Sequence, residues 1–218
     1  MLNVDYMISL IPMFNLAALV TIQLTLLGVF FSFLIGILGN LSYYYKVPVL
    51  TQFFKAYTEL SRNTPILAHL FFLFFGLPAI NIYFSGFVSG VIALSFLGGS
   101  YMIEAIRGGF EAVAKIQKET AKSLALSKWQ ILKFVVAPQG LRTALPAIVA
   151  NVIFLLRESA LVSVIAVPEL MLVARSEISM FFRTNEVLIV LTLYYLVLIG
   201  PLSLGFSFLE RKVRNGKS

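Results

Sequence analysis

The sequence predicts an all-α integral membrane protein with five transmembrane helices, and three observations carry that prediction. Apolar residues make up 59% of the chain and charged residues only 12%, against about a half and a quarter in soluble domains. Apolar runs long enough for a hydrocarbon core of about 30 Å, which takes about 20 helical residues, recur along its length. Lysine and arginine gather in alternate connections between those runs. Fourteen lie in residues 43–62, 104–142 and 210–218, and only Arg175 and Arg183 in residues 1–15, 78–82 and 168–186. Cytoplasmic connections carry such a positive excess. The reading therefore places the N-terminus outside and the basic tail, 210–218, in the cytoplasm.

The spans fall at about 16–41, 57–77, 83–103, 144–167 and 187–209, within a single transmembrane domain over 1–218. In the first, Thr21, Thr25, Gly28, Ser32, Gly36 and Gly39 recur every three or four residues. A stripe of small residues lets helices approach closely in lipid, so this face should meet another helix. Residues 43–62 are mixed, with Lys46, Lys55 and Arg62 beside Leu50, Phe53, Phe54 and Tyr57. They read as an interfacial helix or as the cytoplasmic extension of the next span. Asn63-Thr64-Pro65 looks like a helix start, because proline is tolerated at the first helical position. The uncharged run 65–78 is short, so the second span needs residues before Pro65. The third contains a GxxxG pattern at Gly86 and Gly90, which favours close packing. The fourth is interrupted by Arg157-Glu158. Residues 168–186, with Met171, Met180, Phe181 and Phe182, suggest a short surface helix before the fifth span.

Composition also excludes some classes. The net charge of +7 would suit a nucleic-acid binder only if the basic residues clustered on one soluble face; here they sit between apolar runs. The chain has no Cys and a single His, His69, which leaves no disulfide, no thiolate chemistry and no histidine-based metal site. Residues 1–15 carry only Asp5 and lack the positive start of a signal peptide.

The long polar interruption, residues 104–142, holds seven Lys/Arg and three Glu. Its first half, 111–124, places Val113, Ile116, Thr120 and Leu124 on one face at helical spacing. Its second opens with Ser127-Lys128-Trp129-Gln130, a capping-box pattern, and a helix runs from there to Pro138, whose ring interrupts a helix. The reading is a helical hairpin with a turn at 125–127. Glu119-Thr120-Ala121, the turn Leu124-Ala125-Leu126-Ser127 and Ala137-Pro138-Gln139 resemble the EAA loop of ABC-type importer permeases. Residues 101–109 (YMIEAIRGG), 117–121 (QKETA) and 161–165 (LVSVI) narrow the resemblance to the polar amino acid permeases, over roughly residues 16–210. The family usually has Ala where Thr120 stands and Gly where Ala125 stands. A Gly in such a turn reaches φ > 0 at little cost, which Ala does not.

The resemblance implies a MetI-like permease core in the bacterial inner membrane, paired with an identical or related permease to form the pathway. It implies separate cytoplasmic ATPase subunits, which use ATP and Mg, and an extracytoplasmic amino-acid-binding protein. The hairpin would be the cytoplasmic coupling element, with Glu119, Thr120, Ala121, Ala125, Ser127, Trp129 and Pro138 as its coupling residues. The chain itself would be no enzyme and bind no cofactor. Its own residues agree on the ATPase point: Gly216-Lys217-Ser218 looks like the end of a Walker A loop, but position 211 is Arg where that loop needs Gly.

Arg157 and Glu158 are the other candidates. Charged groups within a span normally face a bundle interior or an aqueous cavity. Asn151 lies almost two turns before Glu158 on the same face, and Ser159 follows it. Asn151, Arg157, Glu158 and Ser159 thus form a candidate substrate-binding set, with an interhelical salt bridge as the alternative role of the charged pair. Related permeases read Lys-Asp-Thr-Ser where this chain has Arg157-Glu158-Ser159-Ala160. His69 reads as a lone histidine satisfied by a neighbouring helix. Glu59 with Arg62, and Glu104 with Arg107, read as local ion pairs at helix ends. The rival functions are a proton-coupled secondary transporter using Glu158 and His69, and a non-transporting membrane scaffold.

Overall fold

The first helix, α1 (Val4–Tyr45), runs 42 residues without a break in the computed structural model, which describes residues 2–215 and side chains through residue 206. The Walker-like end of the tail, Gly216-Lys217-Ser218, lies outside the described residues. Asn3 starts α1 by accepting the Tyr6 N–H at 3.0 Å, and Lys46, at φ 55°, ends it. The helix begins well before the apolar run because its first turns have a packing partner. Leu10, Phe14 and Ala17 join Leu170, Ala174, Val187 and Val190 in a cluster at that end of the molecule.

The small-residue face of α1 is buried along its whole length, and what it meets is α4 (Gly86–Glu111). A Cβ on Gly28 would stand 3.0 Å from Leu94 Cβ, and one on Gly36 only 2.7 Å from Met102 Cβ. The two helices therefore touch almost backbone to backbone. Polar residues in that seam bond across it: Asn40 Nδ2 donates to the Ile103 carbonyl at 2.9 Å, and Ser32 Oγ to the Ser95 carbonyl at 3.3 Å. On the other side of α4, Gly90 would place a Cβ 2.7 Å from Val162 Cγ1, so the GxxxG glycines seat the end of the fourth span.

The second span is bent. α2 (Pro48–Asn63) and α3 (Ile66–Phe71, extended by a π-helical turn, Phe72–Gly76, and a 3-10 turn, Leu77–Ile80) meet at 103°. Pro65 has no N–H to continue α2 and pushes Thr64 into an extended conformation, φ −114° and ψ 128°. α2 packs along α4. The Tyr57 hydroxyl donates to the Phe96 carbonyl, and Ser61 Oγ lies 3.0 Å from the same carbonyl and 3.1 Å from Ser100 Oγ. These anchors sit midway along α4, so α2 lies beside its centre.

Pro138 does not end a helix. The chain from α6 (Lys128–Ile131) passes through a π-helical turn, Leu132–Val136, into α7 (Ala137–Glu158) and a final 3-10 stretch, Ser159–Ile165, as one 38-residue span. The wide turn places its extra residue where the proline ring would otherwise strike the preceding carbonyl, so the rod continues. α8 (Leu170–Phe181) leads into α9 (Thr184–Asn215). Among the described residues four helices are long and apolar enough to cross a membrane, and the bent α2–α3 pair would make a fifth if it forms one span. The core between them is built on Leu24, Leu70, Leu94, Leu97, Leu155 and Val162.

Candidate functional site

Between α4 and α6 the chain forms an elbow: α5 (Lys115–Ser123), a turn, and α6. Ser127 and Gln130 make the predicted capping box, with Ser127 N–H donating to Gln130 Oε1 at 2.8 Å and Gln130 N–H to Ser127 Oγ at 3.3 Å. Ala125 occupies the left-handed region at φ 55°, where the family's glycine would sit without strain. The helix expected over 111–124 is broken, since α4 runs to Glu111 and α5 begins only at Lys115, so Val113 shares no helical face with Ile116. Val113 and Ala121 are buried and pack on Ile131, Leu132 and Val136, whereas Ile116, Leu124 and Trp129 are 67, 71 and 57% exposed. Thr120 and Glu119 are exposed as well, with Glu119 3.5 Å from Lys115. Two bonds tie the elbow to the spans above it: Lys118 Nζ to the Phe110 carbonyl at 3.0 Å, and the Tyr44 hydroxyl to the Lys128 carbonyl at 3.1 Å. Mechanically this is a small body fixed at both ends and continuous with α7 through Pro138, showing an apolar surface outward.

The second site lies on the face shared by α4 and α7. Ala147, Asn151, Phe154 and Glu158 are spaced by three or four residues and line up along α7. A cleft of about 450 Å³ is walled by the first three of these, with Ala150, and by Tyr101, Glu104 and Ala105 of α4. Asn151 is 6% exposed; its Nδ2 donates to the Gly98 carbonyl at 3.0 Å, and its Oδ1 has no hydrogen-bond partner among the described residues. Glu158 is half-buried one turn beyond Phe154, Arg157 is exposed, and neither forms an ion pair with a described residue. The salt bridge considered for them is therefore absent within the described chain. Ser159 is fully buried and donates to the Leu156 carbonyl of its own helix at 2.7 Å, so it faces away from the cleft. Among the described residues no three His, Asp or Glu side chains are grouped to hold a metal ion.

Residues 28–215 match the family of binding-protein-dependent transport system inner membrane components. This chain belongs to that family. It is 40% identical over 152 residues, 70% of each chain, to the probable glutamine ABC transporter permease protein GlnP of Bacillus subtilis (strain 168). It is 34% identical over 199 residues, 89% of this chain and 90% of the relative, to the putative glutamine transport system permease protein GlnP of Rickettsia conorii. Its structure resembles the crystal structure of an amino acid ABC transporter with histidines, at a TM-score of 0.89 and 30% identity over 97% of this chain and 99% of that one. An inward-facing MetNI methionine ABC transporter shares the fold, with a TM-score of 0.76 at 16% identity, 94% coverage of this chain and 98% of the other. The chain is thus an ABC-transporter permease of the polar amino acid family, an inner-membrane component with the MetI-like helical fold.

Two features of the permease escaped the sequence reading. The Glu59–Arg62 pair does not form: Glu59 instead accepts from Asn63 Nδ2, at 3.1 Å to Oε2 and 2.8 Å to its backbone carbonyl. Arg62 lies over the Tyr101 ring, 5.2 Å from its centroid. The Glu104–Arg107 ion pair does form. His69 is not satisfied by its neighbours, since both ring nitrogens are buried without a hydrogen-bond partner among the described residues, and the ring packs edge-on against Phe96 at 5.0 Å. An i to i+3 spacing allows an ion pair without requiring it, so only the three-dimensional competition with Asn63 and Tyr101 decided Arg62.

Proposed function

We propose that this permease forms half of the translocation pathway of an ATP-driven importer for polar amino acids. It pairs with an identical or related permease and works with two cytoplasmic ATPase subunits, which bind the ATP and Mg, and with an extracytoplasmic binding protein that delivers substrate. The termini lie as the charge bias assigns them, N-terminus outside and C-terminus in the cytoplasm. The elbow enters a groove of the ATPase, with Ile116, Leu124 and Trp129 as the contact surface and Glu119 and Thr120 beside them. Closure of the ATPases on ATP moves the elbow, and α4 and α7, rigidly joined to it, tilt and switch the pathway between its two sides. Glu158 faces the ammonium group of the passing amino acid, with Asn151 on the same wall and Arg157 at its edge.

The observation that carries this reading is the exposed apolar surface of the elbow, Ile116, Leu124 and Trp129. Here Val113 and Ala121 anchor the elbow and the larger apolar groups point away from the body, as a docking surface requires. The test is purification of the tagged chain from native membranes, wild type beside Glu119→Lys. An ATPase that accompanies the wild type and is lost from the variant supports the coupling role. Equal recovery from both, with membrane insertion intact, refutes the assignment of Glu119, and no ATPase with either refutes the importer reading in favour of a proton-coupled carrier.

A further inference from the structure

Two cavities adjoin where the end of α1 meets the elbow. The first, of about 340 Å³, is walled by Tyr43 and Tyr44 of α1, Lys55 of α2, Arg107 of α4 and Lys118 of α5, with Glu111 as its one carboxylate. Arg107 is balanced by its ion pair with Glu104 and by Glu111 at 3.7 Å. The two lysines are not. Lys118 Nζ donates to the neutral Phe110 carbonyl at 3.0 Å, and Lys55 has no ion pair or hydrogen bond among the described residues. An ammonium group carries three N–H donors, so this cleft offers an anion both uncompensated charge and free donors.

The second cavity, of about 270 Å³, is an apolar groove. Phe33, Ile37 and Leu41, spaced by four residues along one face of α1, form one wall. The chain running from the π-helical turn into α7 supplies Leu132, Ala137 and Leu141. The groove follows α1 for about 12 Å at 1.5 Å per residue, and its one charged residue is a further cation, Lys133. Asn40 and Phe110 line both cavities, so the basic cleft and the apolar groove are continuous. A free phosphate would leave the groove empty, and an uncharged lipid would leave the lysines unpaired. A ligand with an anionic head and an apolar tail satisfies both, and basic pockets between membrane helices suit such headgroups.

We propose that this composite site holds one anionic phospholipid. Its phosphate lies between Lys55 and Lys118, and one acyl chain runs along the Phe33–Leu41 face of α1. The bound lipid ties the ends of α1 and α2 to the elbow. Its leaflet, the cytoplasmic one, rests on the orientation proposed above; the site itself rests neither on that orientation nor on the coupling role of the elbow.

The test uses the complex of permease and ATPase purified in detergent with phosphatidylglycerol or phosphatidylcholine of identical chains. Native mass spectrometry counts the lipids retained. Wild type should keep one phosphatidylglycerol per permease, preferred over phosphatidylcholine by about tenfold or more and not displaced by excess inorganic phosphate. Lys55→Gln should cut the preference about fivefold, and Lys55→Arg should keep it. An undiminished preference in Lys55→Gln/Lys118→Gln overturns the proposal. If loss of the Lys118 bond to Phe110 prevents assembly of that variant, an undiminished preference in Lys55→Gln alone, at an exposed side chain, overturns it equally. Equal retention of the two lipids overturns it, as does displacement by inorganic phosphate, which would make the cleft a free-anion site. No lipid in the complex, the result if the ATPase fills the groove at Trp129, overturns it too. Phosphatidylglycerol with a diazirine in its acyl chain should label residues 33–41 and 132–141, and labelling confined to other segments refutes the placement. None of these readouts requires transport or ATP, so their failure is distinct from failure of the importer reading.

Discussion

Ala125→Gly should tighten the elbow. Ala125 sits at φ 55°, a left-handed conformation that costs an L-residue about 1–2 kcal/mol. Glycine removes that cost but loses about 0.4–1 kcal/mol through the greater freedom of its unfolded chain, for a net gain of about 0.5–1 kcal/mol. The turn is held by the Leu126 N–H to Ala121 carbonyl bond at 3.2 Å and the Ala125 N–H to Lys122 carbonyl bond at 2.9 Å. Both lie within the short turn and open locally without unfolding the spans. Hydrogen exchange of a peptide covering residues 121–131 reads that opening directly. The gain corresponds to exchange about two- to fivefold slower, at tenfold per 1.4 kcal/mol. Ala125→Val, which adds a branched side chain at the same φ, should accelerate it. Faster exchange in Ala125→Gly would refute the reasoning, because the turn would then not be strained.

Glu158→Gln should lower transport in reconstituted vesicles by about tenfold, the effect of one charge-assisted contact, with the complex recovered intact on size exclusion; failure to assemble would instead make Glu158 a structural residue. Glu169, between the fourth and fifth spans, is fully buried and caps α8 by accepting the Leu172 N–H at 2.8 Å. Burial pushes its carboxyl up to about 7. Its folded value is above the unfolded one, so its stabilising contribution is complete below about pH 4.5 and is lost as pH rises through about 7, by about 3 kcal/mol. Thermal unfolding of the wild type should therefore weaken across that window, and Glu169→Gln, which keeps a capping oxygen, should flatten the dependence.

How much was legible depended on the range of the interaction. The small-residue stripe from Thr21 to Gly39 announced a helix–helix seam, and the structure places α4 against it. Such a stripe is a property of one helix and needs no knowledge of its partner. The Ser127–Gln130 cap was legible for the same reason, since both of its bonds lie within four residues. The break at 112–114 was not. Helical spacing put Val113 and Ile116 on one face, but α4 runs to Glu111 and α5 starts at Lys115, so Val113 packs on Ile131, Leu132 and Val136 while Ile116 stays exposed. Ser159 was grouped with Glu158 by adjacency, although neighbouring helical positions differ by about 100° and the hydroxyl finds its own helix.

Composition and periodicity pointed on their own to the all-helical membrane class, and the motifs of the elbow to the family they resemble. These follow from the backbone's need to satisfy its hydrogen bonds in lipid and from short-range residue patterns, neither of which depends on tertiary detail. Only the tertiary structure decided that the second span breaks by 103°, that Pro138 is carried through a π-helical turn, and that Arg62 leaves Glu59 for Tyr101. Each of those outcomes is a competition between partners distant in sequence, settled by which group the packed spans bring within reach.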